Sequence, residues 1–258
     1  MVIFMTRIIL SGCNGRLGQY ISEAVATRDD MQIVAGIDLV TEKRGKYPVY
    51  ADLLEFGGSA DIVVDCSYAG ALDGVLSYCT GKGIALVVCT TGYSEEQLAK
   101  IAEASKKIAI FRSANMSLGV ALVTQLAKNA AALLGDAYDV EIIEKHHNRK
   151  IDAPSGTALM LADAVSVALS YEAEYVYSRQ PVREARRKNE IGIHSLRGGT
   201  IVGDHAVIFA GTDEVIEISH SAASRAVFAN GAVKAVSFTA GKAAGLYNMN
   251  DLVAEYVK

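Results

Sequence analysis

The feature that most limits how this chain can fold is a series of five short apolar runs that lack polar alternation. They are Arg7–Ser11 (RIILS), Gln32–Ile37 (QIVAGI), Asp61–Asp65 (DIVVD), Ile84–Cys89 (IALVVC) and Lys107–Phe111 (KIAIF). A strand that is apolar on both sides has to be covered on both sides, and helical patterns lie between these runs. The expected fold class is therefore α/β, a Rossmann-type parallel sheet with ligands at the carboxyl ends of its strands. At 258 residues, with 51% apolar residues, 23 Gly and only 3 Pro, the chain has material for one large or two smaller cores of this kind.

Between the first run and the helix expected over Gln19–Thr27 lies Gly12-Cys13-Asn14-Gly15-Arg16-Leu17-Gly18. Glycines there permit positive φ and close approach to a pyrophosphate, while the helix that follows directs its unsatisfied N–H groups at the anion. The G-x-x-G-x-x-G spacing has one more spacer than the usual dinucleotide fingerprint, so alone it is a weak sign, with a bare glycine turn as the alternative. Asp38, closing the second strand, strengthens it, because an acid at that point accepts from a ribose diol. Leu39 follows in place of an arginine that would receive a 2′-phosphate. NADH is thus the preferred cofactor, and NADPH stays open because Lys43 or Arg44 could substitute. Three strand ends, Asp65-Cys66-Ser67, Thr90-Thr91-Gly92 and Ser113-Ala114-Asn115-Met116, offer short polar groups for the nicotinamide ribose and carboxamide, with ordinary turn chemistry as the plain alternative.

The pattern changes after Asn115. Met116–Leu134 reads as one long apolar helix with Gly135 as its C-cap, Tyr138–Glu144 as a strand and Ala158–Leu169 as a helix. Ile191–Leu196, Asp204–Ala210 and Val215–Ser219 follow as three strands of an antiparallel meander. This second domain is expected to be α+β, with a mostly antiparallel open sheet. The expected division is a dinucleotide-binding domain, 1–117 and 227–258, around a substrate-binding and oligomerisation domain, 118–226. The closing helical run, Ala226–Ala240, and the tail Met249–Val257 return to the first domain. Two crossings form a hinge whose closure would exclude water. The polar segment Tyr171–Asn189, with Arg179, Arg183, Arg186, Arg187 and Lys188, reads as a solvated loop or a mobile arm near an acidic substrate.

The chemistry concentrates in Glu141–Ala158, EIIEKHHNRKIDAPSGTA. His146 and Lys150 lie within reach of one ligand whether the segment is helical or looped. A histidine can hand a proton to an electron-rich carbon or nitrogen, and an ammonium stabilises negative charge. Pro154-Ser155-Gly156-Thr157 reads as a helix start and a second anion site. Since the glycine turn takes the cofactor phosphates, this second site suits a substrate carboxylate, and the whole describes hydride reduction of an unsaturated acid. The plain alternatives are a structural His147 and a surface ion pair of Lys150 with Asp152.

Other classes are disfavoured. A net charge of −4 implies no nucleic-acid or membrane-binding surface, and no run of 18 apolar residues suggests a membrane span. Cys13, Cys66, Cys79 and Cys89 have no zinc-like spacing, so no metal is expected, and they read as reduced thiols of a cytoplasmic protein without a leader peptide.

These residues resemble the 4-hydroxy-tetrahydrodipicolinate (dihydrodipicolinate) reductase family. EKHHNRKIDAPSGTA is similar to its signature nearly throughout, and the resemblance extends to the glycine turn, TTG at 90–92, GGTIVGDH at 198–205 and SRAVFANGAVKA at 224–235. It implies NAD(P)H-dependent reduction of a cyclic imine dicarboxylate to tetrahydrodipicolinate in lysine and diaminopimelate synthesis, by a homotetramer assembled through the substrate-domain sheets. His146 would be the proton donor and Lys150 a second catalytic or carboxylate-binding group, with His147, Gly156 and Thr157 contacting substrate. Cys89 stands where the family commonly has glycine beside the cofactor, and Leu39 where dual-cofactor members have arginine. Two rivals, a related dehydrogenase and an NAD-binding redox sensor, fit the same first domain. The sensor has no use for His146 with Lys150.

Overall fold

In the computed structural model, residues 5–181 and 183–256 are described; residues 1–4, 182, 257 and 258, the ends of the expected first domain among them, lie outside them. The chain forms two compact units, Met1–Leu118 with Arg225–Lys258, and Gly119–Ser224.

The first unit begins with β1 (Thr6–Ser11), α1 (Arg16–Ala26), β2 (Met31–Ile37), β3 (Val49–Tyr50), β4 (Ile62–Asp65), α2 (Leu72–Lys82), β5 (Ala85–Val88), α3 (Glu95–Ala104) and β6 (Ala109–Arg112). Local chemistry sets several ends. Gly83 closes α2 at φ 65°, and Ser94 with Gln97 forms a full capping box on α3. The chain then builds the second unit from α4 (Leu118–Leu134), β7 (Asp139–His146), α5 (Gly156–Ser166), β8 (Glu174–Val176), β9 (Glu190–Arg197), β10 (Gly203–Ala210) and β11 (Val215–Ala222). It returns to the first unit as α6 (Ala226–Thr239), β12 (Gly245–Tyr247) and α7 (Met249–Tyr256).

The first sheet is wholly parallel, in the order β12-β6-β5-β4-β1-β2-β3. The Rossmann-type expectation holds, and β3 and β12 add strands too short to read from pattern. β12 is secured by stacking, with Phe238 of α6 meeting Phe111 and Tyr247 edge-on at 5.8 and 5.7 Å. The strand order reverses between β1 and its neighbours β2 and β4, which opens a crevice at their carboxyl ends.

The second sheet runs β11-β10-β7-β9-β8. The expected meander is corrected: β10 pairs antiparallel with β11 and β7, while β9 pairs parallel with β7 and β8, so the sheet is mixed. The reason lies in connectivity, since α5 intervenes between β7 and β9 and a crossover of that length returns the chain in the same direction. Val140 and Ile142 of β7 face Ala158, Leu161 and Val165 of α5 and Val123, Ala127 and Ala131 of α4 in one core. Leu118–Ala137 is long and apolar enough to cross a membrane by length and composition alone, and its buried residues serve this core instead. Strand β7 runs two residues further than expected, carrying His146 on the strand, and α5 starts at Gly156 and ends at Ser166.

The basic segment is largely exposed, as a solvated loop would be, and three of its arginines tie it down. Arg186 donates to Glu141 at 3.0 Å, Asp139 at 2.9 Å and the Val140 carbonyl at 3.1 Å, and Arg179 and Arg187 pair with the buried Glu190. These guanidiniums staple the segment to β7 and β9, because a planar fork can satisfy several acceptors at once.

Candidate active site

Ser11 ends β1, and Gly12 turns at φ 76° with its N–H on the Ile37 carbonyl at 2.8 Å. A Cβ at Gly12 would lie 2.6 Å from the Cys66 carbonyl oxygen, and one at Gly18 only 2.3 Å from that of Gly12. Gly15 is the N-cap of α1 and makes no side-chain cap bond, and no acidic residue occupies the first turn. That leaves a positive helix end suited to a phosphate. Arg16 is exposed on this turn and Leu17 half-buried. Asp38 accepts from the Asn14 and Val40 N–H groups at 3.0 and 3.1 Å, and the Asn14 amide donates to the Val40 and Glu42 carbonyls. The loops after β1 and β2 are thereby locked together. They bound a cavity of about 760 Å³ lined by Gly12, Gly15, Asp38, Leu39, Ser67 and Tyr68, within the usual size of a cofactor site.

The remaining expected cofactor residues divide. Cys13 contributes backbone to the turn, but its buried thiol, pushed up to about 11 by burial and by Asp38, points toward Gly36. Thr90 is buried with its hydroxyl on Asp65 at 2.8 Å, while Ser67 donates to the same carboxylate at 2.6 Å. The Thr90 hydroxyl thereby joins the ends of β4 and β5. Cys89 is buried, and burial pushes its thiol up. Thr91 and Ala114 are exposed, Ser113 and Asn115 half-buried and Met116 buried, and the Asn115 side chain accepts from the Ser117 N–H at 2.8 Å. None of the eight expected residues of this group lines the cavity.

In the second unit, alternation along β7 puts Glu144 and His146 on the same side of the strand, the side that α5 covers. Glu144 is wholly buried. It accepts from His146 Nδ1 at 2.6 Å, from both Arg197 Nη atoms at 2.8 and 2.7 Å, and from the Ser155 N–H at 3.0 Å. Burial alone would raise its carboxyl; hydrogen bonds from Arg197, His146 and Ser195 outweigh that and hold it down at about 2. The registers explain the meeting: Ser195 of β9 and His205 of β10 lie directly opposite Glu144, and Arg197 opposite His146.

Ser155 is the N-cap of α5, its Oγ accepting from the Ala158 N–H at 3.2 Å and lying 2.9 Å from His205 Nε2. Its hydroxyl is committed to the cap, so of the expected cradle it is Gly156 and Thr157 that stand at the helix mouth. Pro154 precedes the helix, after a cis peptide bond. His147 is half-buried. The turn beyond it brings the Lys150 N–H to the His147 carbonyl at 3.1 Å, and Gly198 and Gly199 hold this loop through the His146 carbonyl and the Asn148 N–H. Lys150 pairs with Asp152 at 2.8 Å. Among the described residues no three His, Cys, Asp or Glu side chains are grouped to hold a metal.

Sequence reasoning missed Glu144, Arg197 and His205. The Glu-x-His spacing was a usable signal for the first; the other two depend on strand pairing.

One pH dependence follows. Burial, and then His146, depress the His205 imidazole to about 4. Its contribution is intact above pH 6.5, where both folded and unfolded forms are neutral. It is lost as pH falls toward 4, because only the unfolded chain takes the proton easily, a cost of about 3 kcal/mol. Urea midpoints should fall between pH 7 and 4.5, and His205→Gln should flatten that slope; an unchanged slope in the variant would assign the loss elsewhere.

A Rossmann-type sheet with a phosphate-ready glycine turn, joined to a unit with a buried carboxylate–imidazole pair, defines a pyridine-nucleotide-dependent reductase. Family models described as dihydrodipicolinate reductase, N-terminus and C-terminus, match residues 6–116 and 119–253. Proteins named 4-hydroxy-tetrahydrodipicolinate reductase from Clostridium novyi and Caldanaerobacter subterraneus are 49% and 51% identical over 249 residues, covering 96% of this chain and 98% of each relative. The chain belongs to the dihydrodipicolinate reductase family. A dipicolinate-bound dihydrodipicolinate reductase from Paenisporosarcina sp. TG-14 shares the fold at TM-score 0.80 and 24% identity, over 95% of this chain and 98% of that one.

Proposed function

We propose that this chain reduces 4-hydroxy-tetrahydrodipicolinate to tetrahydrodipicolinate in lysine and diaminopimelate synthesis, with hydride from a reduced nicotinamide and a proton from His146. The observation that carries this reading is that Glu144 binds both His146 and the first residue of the α5 cap, which sets a proton donor beside a helix N-terminus. Such an end attracts a carboxylate, and the Paenisporosarcina relative holds dipicolinate, a ring dicarboxylate. Gly156, Thr157 and His147 contact the substrate, and Lys150 exchanges Asp152 for a substrate carboxylate.

NADH is the preferred cofactor. Asp38 lines the cavity as a ribose acceptor and Leu39 beside it is exposed, while Arg44 lies 3.7 Å from Glu42. A 2′-phosphate next to Asp38 meets like charge. The chain acts in the cytoplasm as a homotetramer; the assembly is supported by exposed Leu196 and Val215 on strands of the second sheet, and sedimentation should give four times 27.4 kDa.

The test is NADH oxidation on adding the condensation product of pyruvate and aspartate semialdehyde. Turnover is expected, with NADPH binding at least tenfold more weakly than NADH. A folded protein that leaves NADH unoxidised rejects the reading, and tenfold tighter NADPH binding reverses the cofactor preference alone.

A further inference from the structure

The proton donor is held by more than one contact. Glu144 uses one oxygen for His146 Nδ1 and the other for the backbone of Ser155, and Arg197 grips both oxygens from β9. Arg197 in turn donates to the Asp152 carbonyl at 2.7 Å, tying the loop between His146 and the cap of α5 to the same guanidinium. On the far side of the imidazole, a Cβ at Gly203 would stand 3.0 Å from His146 Nε2, so glycine there keeps that nitrogen clear. The His205 ring meets His146 edge-on at 5.1 Å and reaches Ser155 Oγ.

We propose that Glu144, clamped by Arg197, is the positioning residue of the reaction: it retains the Nδ1 proton of His146, so that Nε2 is the atom that protonates the substrate. This rests on the proton-donor role given to His146 above. The step balances simply. The imidazolium Nε2–H bond breaks, the proton joins the substrate atom made electron-rich by hydride addition, and the ring remains as the neutral Nδ1–H form bound to a carboxylate. The same carboxylate sets the entry of α5, so donor and anion cradle are aligned by one group. A carboxylate on Nδ1 orients the ring, as in other carboxylate–histidine pairs.

The charged or titratable groups around the pair are Arg197 on β9, His205 on β10 with His220 opposite it on β11, and Asp152 with Lys150 in the loop. In Glu144→Gln the imidazolium loses its anionic partner. Expected results are a ten- to hundredfold lower kcat, an alkaline limb of kcat displaced to lower pH, and a KM for substrate within threefold of wild type. Glu144→Asp, which keeps the charge, should return the limb toward its original position. A wild-type kcat in Glu144→Gln, or a lower kcat with the limb unmoved, overturns the proposal.

A second measurement needs neither turnover nor a folded variant at 144. In 15N-histidine spectra of the wild-type protein, with His146 assigned through His146→Gln, the neutral ring should be the Nδ1–H tautomer, whereas free imidazole side chains favour Nε2–H. Finding Nε2–H overturns the positioning role even where the reductase assay succeeds. Finding Nδ1–H supports it even where that assay fails, so the two readings are separable.

Discussion

His146→Gln should lower kcat about a thousandfold, in the middle of the range that a positioned general acid supplies, while the Kd of NADH stays within twofold of wild type. Glutamine fills most of the imidazole volume and can still donate to Glu144, but its amide releases no proton near neutral pH. The substitution therefore removes chemistry with little change in packing. Glu144 keeps Arg197 and the Ser155 N–H in the variant, so its buried charge stays compensated and the second unit should fold. The glycine turn and its cavity belong to the other unit, which is why cofactor affinity is the internal control. A variant with kcat within threefold of wild type would remove His146 from the reaction.

Gly18→Ala should be strongly damaging to the glycine turn. The added Cβ would meet the Gly12 carbonyl oxygen at 2.3 Å and that of Cys13 at 2.7 Å, and neither backbone atom can rotate away. Either α1 moves off the turn or the turn opens, and both misplace the N–H groups that would hold the pyrophosphate. Overpacking of this kind costs about 3 kcal/mol, or roughly 6–12 °C in Tm for a chain of this size, and NADH affinity should fall at least a hundredfold. Gly57→Ala is the control, since a Cβ there has nothing within 4 Å and the residue lies outside the cavity lining. Calorimetry and NADH titration read both; an unshifted Tm with intact binding in Gly18→Ala would mean that the close helix approach is unnecessary.

Much of this molecule was legible before any coordinates. The unalternated runs from RIILS to KIAIF required a doubly covered parallel sheet, because a strand apolar on both sides has no face to give to water. The glycines at 12, 15 and 18 announced a turn that only backbone could line, and EKHHNRKIDAPSGTA held a histidine, a lysine and a helix start within a few residues. All of that information is local, carried by period, spacing and φ preference.

What the tertiary structure alone decided is the set of partners. Strands β3 and β12 are too short to show a period and exist only because neighbours offer free edges. The parallel pairing of β7 with β9 placed Arg197 opposite His146, and the antiparallel pairing with β10 placed His205 opposite Glu144. The same folding gave the Thr90 and Ser155 hydroxyls hydrogen bonds to Asp65 and to the Ala158 N–H, which spacing alone does not show. Sequence thus determined which groups were present and which elements would carry them. Long-range strand register, set by the burial of whole faces rather than by any neighbouring residue, determined that His146 would have a buried carboxylate at its back and an arginine to hold that carboxylate.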